Sequence, residues 1–227
     1  MILENDASFK SAAREQDSLL TPLEKKALLW LAHRMPVWVS PDHLTVLGLL
    51  GTTLAGVCYY AARWCPLAVL GSILFLFINW FGDSLDGTLA RVRQRQRPRY
   101  GFYVDHIVDT FGVLFLIGGL GLSGFMTGVV ALALLIAYFM LSIEIYLATY
   151  AIGVFKLSYG IWGPTELRIM LSIGTLVLLA KPIVRVGSSP YFLCDIGAVV
   201  AIAAMGVILL TSVVRNTLRL YDEERLQ

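Results

Sequence analysis

Six stretches of the chain, at roughly 43–62, 66–84, 104–122, 127–151, 165–184 and 191–213, are apolar. Each runs for about twenty residues, the length at which a helix crosses about 30 Å of hydrocarbon. A lipid-embedded backbone must satisfy its own hydrogen bonds, so such runs become helices. With 57% hydrophobic and 15% charged residues among 227, the chain reads as an all-α polytopic membrane protein with six transmembrane helices. No Ser/Pro/Gly-rich linker and no shift in composition divides it, so one membrane domain over 1–227 is expected.

The first twenty residues are polar and lack the basic start, apolar centre and small-residue cleavage site of a secretory signal. They read as a retained, frayed tail. In "TPLEKKALLWLAHR", Thr21 is expected as N-cap, Pro22 at the first helical position and Glu24 where a capping box places it. This gives a helix over 21–35, lying on the membrane surface with Leu28, Trp30 and Leu31 toward lipid or the bundle; a helix turned in from the cytosol fits equally. The spans then occupy 43–213. Sorting lysines and arginines by six spans puts 14 on the side that holds both termini and three on the other. The basic side is therefore expected to be cytoplasmic. A net charge of +2 and the lack of a basic-aromatic pattern exclude a nucleic-acid reader. Cys58, Cys65 and Cys194 have neither metal-ligand nor disulfide spacing and read as packing residues.

Against this apolar background, residues 81–110 carry Asp83, Asp86, Asp105 and Asp109. The second span, followed from Pro66 to Arg91, has 26 residues. That is about 39 Å of helix, so it must protrude from the hydrocarbon and carry its aspartates to the boundary. At about 100° per residue, Asp83, Asp86, Gly87 and Ala90 share one helix face, and Gly101, Asp105 and Asp109 share one face of the next. Counted back from the loop, Asp86 and Asp83 lie about 7.5 and 12 Å along one helix, and Asp105 and Asp109 about 6 and 12 Å along the other. Antiparallel packing would match their depths. Any one of these aspartates suits a helix cap, but caps do not repeat on one face at three- and four-residue spacing. Four adjacent carboxylates cannot all stay ionised unaided. An all-oxygen set favours a hard cation, Mg²⁺ or Mn²⁺. Gly87, Ala90 and Gly101 leave the faces without bulk, a gap of the kind that admits a nucleotide.

These residues resemble the signature of the CDP-alcohol phosphotransferase superfamily, integral membrane enzymes of phospholipid synthesis. Its pattern, D-x2-D-G-x2-A-R, a spacer and G-x3-D-x3-D, is matched by Asp83, Asp86, Gly87, Ala90 and Arg91, then Gly101, Asp105 and Asp109. The spacer, 92–100, is slightly longer than usual. "SPDHLT" at 40–45 is similar to the family's approach to the first span, with Asp42 where asparagine is common. The resemblance implies cleavage of a CDP-linked donor at its pyrophosphate by an alcohol acceptor, with release of CMP. It implies metal held by Asp83, Asp86, Asp105 and Asp109, with Asp109 also the general base, and nucleotide contacts at Thr45, Asp86, Gly87, Ala90, Arg91 and Gly101. A homodimer in the lipid membrane is implied as well.

Several alternatives stay open at this level. The compact chain resembles users of CDP-diacylglycerol. Asp105 followed by His106 and Asp109 is also similar to the choline and ethanolamine branch, which reverses the arrangement with a CDP-linked headgroup and diacylglycerol. His106, about 100° from Asp105 around the helix, competes with Asp109 for the base role. Arg168, about one turn into the fifth span, suits either an acceptor phosphate or snorkelling to the headgroups. Glu144 is expected to pair with Arg168 or Lys156. The arginines from Arg93 to Arg99 read first as topology determinants. Gly48, Thr52 and Gly56, spaced by four, allow close helix approach within the chain or across a dimer. A divalent-cation transporter or channel would also carry membrane aspartates, but the acidic cluster sits at one boundary with no continuation across.

Overall fold

The computed structural model describes residues 13–15, 20–156 and 163–225. Seven helices dominate: α1 (Thr21–Arg34), α2 (Pro41–Ala61), α3 (Val69–Val92, preceded by a 3-10 turn at Pro66–Ala68), α4 (Pro98–Leu122), α5 (Gly128–Ile152), α6 (Pro164–Ala180) and α7 (Leu193–Glu223). Proline opens α2, α4 and α6, where a missing N–H costs nothing. Ser40 caps α2 reciprocally: its Oγ accepts from His43 N–H at 3.2 Å, and its own N–H reaches His43 Nδ1 at 3.2 Å. Gly153, at φ +78, ends α5 in the left-handed conformation that a side chain disfavours.

The all-α polytopic expectation holds. Five helices, α2, α3 with its leading turn, α4, α5 and α7, are long and apolar enough to cross a membrane. The helix over the expected fifth span, α6, has 17 residues, about 26 Å at 1.5 Å per residue and thus short of a full crossing without help from its flanks. The apolar pattern predicts no strands there, yet Ile183–Val186 and Ser189–Phe192 pair antiparallel between α6 and α7. The expected tail lies largely outside the described residues, but its 13–15 backbone pairs in parallel with 154–156.

Packing centres on α2, which contacts both α3 and α4, while α3 and α4 make little contact with each other. Glycines permit this. A Cβ on Gly82 of α3 would lie 2.5 Å from Leu44 O and Gly48 N of α2, and one on Gly51 would lie 2.6 Å from Asn79 N. On the other flank, Gly119 of α4 would drive a Cβ into the Gly56 carbonyl. Gly48 and Gly56 thus serve packing within the chain. The expected antiparallel contact of α3 on α4 is replaced by two helices mounted on a third, because the small-residue faces are directed at α2.

At the 93–97 end, α1 packs Leu28 and Ala32 against Leu44, Leu85 and Leu89. Trp30 stays exposed under Arg34, whose guanidinium carbon is 4.0 Å from the ring centroid. The expected capping box does not form: α1 starts at Thr21 after Leu20 without a side-chain cap. Glu24 is drawn away instead, accepting from Trp80 Nε1 at 2.8 Å and Thr165 Oγ1 at 2.7 Å, and so ties α1 to α3 and α6. Of the cysteines, Cys58 and Cys194 are half-buried as packing residues, but Cys65 is exposed in the 62–68 turn.

Candidate active site

Because α3 and α4 diverge from the short 93–97 connection and each leans on α2, their acidic faces meet across a cleft. One carboxylate oxygen from each of Asp83, Asp105 and Asp109 lies within 4.8 Å of the others, and all three residues are half-buried. Asp86 stands outside this trio. One turn closer to the loop, its Oδ2 accepts from Thr45 Oγ1 of α2 at 2.6 Å, and its Oδ1 lies by the Gly87 N–H. Thr45 and Asp86, expected together at the nucleotide, are therefore in direct contact. Gly87 and Gly101 face open space: a Cβ on Gly87 would meet only Arg91 Nη1 at 3.5 Å, and one on Gly101 nothing within 4 Å. Ala90 is half-buried. Arg91 is exposed and donates to Thr88 Oγ1 at 3.0 Å.

Arg168 enters from α6. Its Nη2 donates to Asp83 Oδ2 at 2.5 Å and its Nε to Asn79 Oδ1 at 2.7 Å, while Nη1 is buried without a partner among the described residues. Snorkelling does not describe this side chain, because the carboxylate field of the cleft outcompetes the headgroup region for a guanidinium within reach. Glu144 does not pair with Arg168, and the side chain of Lys156, its other expected partner, lies outside the described residues; Glu144 Oε1 accepts from Ser212 Oγ and Asn216 Nδ2 of α7, each at 2.8 Å. Its neutral donors supply the charge-assisted bonds expected of an ion pair. His106 turns toward α5. Its Nδ1 lies 2.5 Å from the Phe102 carbonyl oxygen and its ring meets Tyr146 edge-on at 4.8 Å.

Two arginines of the loop, expected first as topology determinants, also make contacts within the fold. Arg93 donates to the carbonyls of Met35 at 3.0 Å and Pro36 at 2.8 Å, and also to that of Val39, so it clamps the α1–α2 connection, whose own backbone adds the Val39 N–H to Pro36 O bond at 3.1 Å. Arg97 pairs with Asp42 and lies 4.0 Å from the Tyr100 ring centroid. Asn79 was invisible to the sequence reading, being a neutral residue outside the acidic pattern. Its one legible signal is that it precedes Asp83 by one helical turn.

Three carboxylates against one guanidinium leave an excess of negative charge in a partly enclosed cleft. The oxygen-only donor set of Asp83, Asp105 and Asp109 fits a hard divalent cation. Fold and site together define a polytopic helical membrane protein with an acidic centre between two helices at one end of its bundle. The family model for CDP-alcohol phosphatidyltransferase matches residues 38–216, and the chain belongs to that family. Relatives include cholinephosphotransferase 1 of Xenopus laevis, 29% identical over 69% of this chain and 40% of the relative. Cholinephosphotransferase 1 of Gallus gallus is 33% identical over 49% of this chain and 34% of its own length. Archaetidylinositol phosphate synthase of Pyrococcus horikoshii is 30% identical over 46% of this chain and 52% of its own. The match thus spans from a third to a half of each of these relatives.

Proposed function

We propose that this chain transfers a substituted phosphate from a CDP-linked donor to an alcohol and releases CMP. The single observation that carries the reading is the convergence of Asp83, Asp105 and Asp109 from two helices, at signature positions of the family the chain belongs to. In the reaction, an alcohol oxygen forms a bond to the phosphorus retained in the product, and the pyrophosphate bond from that phosphorus to CMP breaks. Asp109 takes the alcohol proton. Asp83, Asp105 and Asp109, with Asp86 at the rim, would hold Mg²⁺ or Mn²⁺, which when bound neutralises charge on the entering and leaving oxygens. Thr45, Asp86, Gly87, Ala90, Arg91 and Gly101 form the nucleotide side, the open space at Gly87 and Gly101 leaving room for it. Arg168, with a buried unspent donor, is suited to a phosphate oxygen of the acceptor.

Two placements of the lipid follow. The compact chain suits CDP-diacylglycerol with a polar alcohol. Similarity to cholinephosphotransferases favours a CDP-linked headgroup with diacylglycerol. Both place the cleft and both termini on the cytoplasmic side, where CDP substrates are available, and a homodimer is the proposed assembly. Detergent-solubilised protein is given CDP-diacylglycerol with a panel of alcohols, or CDP-choline and CDP-ethanolamine with diacylglycerol. CMP should appear only with a matched donor and acceptor, and the lipid product identifies the placement. Divalent-ion flux into liposomes without CMP release in any combination would instead establish a transporter.

A further inference from the structure

We propose that Asn79 is a positioning residue of this centre, acting through Arg168 to set the guanidinium against Asp83. The inference rests on the reading of the acidic trio as a metal site. Asn79 is 6% exposed and lies four residues before Asp83, on the same face of α3. Both hydrogens of its amide are spent on α2: Nδ2 donates to Gly48 O and to Thr52 Oγ1, each at 2.9 Å. The amide oxygen is thereby turned away from α2, and it accepts from Arg168 Nε at 2.7 Å. A flipped amide would point its N–H groups at a guanidinium, which has no acceptor, so the network permits one orientation.

A guanidinium is planar, and fixing Nε together with Nη2 fixes that plane. Its second anchor is Asp83 Oδ2 at 2.5 Å, and its remaining nitrogen, Nη1, is left as a buried donor. The close α2–α3 contact made by Gly48, Gly51 and Gly82 is in this way transmitted to the carboxylate cleft through one side-chain amide. Loss of Asn79 frees Arg168 to swing and leaves Asp83 with an unaligned partner. A residue with packing value only would have no such dependence on Arg168.

The test is a double-mutant cycle in the full chain, in detergent, read as the affinity for Mn²⁺ from the paramagnetic resonance of the free ion. Asn79→Leu, which keeps the volume and removes the amide, should change the Mn²⁺ affinity by about tenfold in the otherwise native chain and by less than about twofold in an Arg168→Met background, a coupling in the range of contacting residues. Thr52→Val loosens the amide from α2 without touching Arg168; it should give a smaller change that also vanishes with Arg168→Met, and it serves if Asn79→Leu fails to fold. Equal changes in both backgrounds, or none in either, overturn the proposal while leaving the metal site standing. Absence of Mn²⁺ binding by the unaltered chain overturns the metal reading and the proposal with it.

Discussion

Asp109 and His106 are three residues apart on α4 and face different neighbours. Asp109 joins the carboxylate trio, whereas His106 is held by the Phe102 carbonyl and packs on Tyr146. A general base must reach the proton before its basicity matters, so geometry favours the aspartate. Asp109→Asn should lower turnover by about 10²- to 10⁴-fold, the usual worth of general-base catalysis, while CDP-substrate binding persists. His106→Ala should keep much of the activity; steady-state CMP release with metal saturating compares the two, and the reverse pattern exchanges their roles. Asp83→Asn and Asp105→Asn should each weaken Mn²⁺ binding in folded protein, and an unchanged affinity in either removes that residue from the site. The four aspartates were legible because their spacing repeats on helical faces. The separation of Asp86 from the other three was not, because it depends on Thr45, which is 41 residues away in sequence and adjacent only once α2 and α3 pack.

The helices meet through glycine, and neighbouring glycines on one helix have opposite meanings. A Cβ at Gly119 would strike the Gly56 carbonyl, a backbone atom that cannot move aside, whereas a Cβ at Gly118 meets nothing within 4 Å. Gly119→Ala should therefore destabilise the bundle by about 1–3 kcal/mol, as overpacking does. Gly118→Ala should be neutral or stabilising by up to about 1 kcal/mol through helix propensity. Reversible unfolding in mixed detergent would measure both, and equal effects would mean that α2 and α4 do not approach this closely. The four-residue spacing of Gly48, Thr52 and Gly56 announces a close contact in the sequence. Its partner is undetermined there, since a small face accepts any helix that presents another. Glu24 shows the converse: a local cap motif is outbid by Trp80 and Thr165, which offer two donors from other helices.

For the whole molecule, the placement of charge yields predictions about orientation and metal dependence. The 93–97 connection and the 62–68 turn are at opposite ends of α3. Basic residues concentrate at the first, so a cysteine placed at Gln96 should label only after the cytoplasmic face is opened, whereas native Cys65, exposed in the second, should label from outside intact cells. Labelling in the opposite sense would invert the protein and remove the cleft from the side that holds CDP substrates. Chelation should abolish CMP release and Mg²⁺ or Mn²⁺ should restore it, since an oxygen-only carboxylate set suits hard divalent cations. Activity that persists through exhaustive chelation would sink the metal assignment.

By itself the sequence determined that the chain is a helical membrane protein, because apolar runs of that length have one solution in lipid. It also determined which helix faces are acidic, since residue spacing and helical pitch suffice for that. Only the tertiary structure decided that α2 is the mount for both acidic helices and that Asp83, Asp105 and Asp109 converge while Asp86 turns to Thr45. It alone directed Arg168 into the cleft through Asn79 and Glu144 toward α7. Those outcomes are contacts between residues far apart in the chain. They arise from competition among donors and acceptors that come within reach only when the helices are assembled.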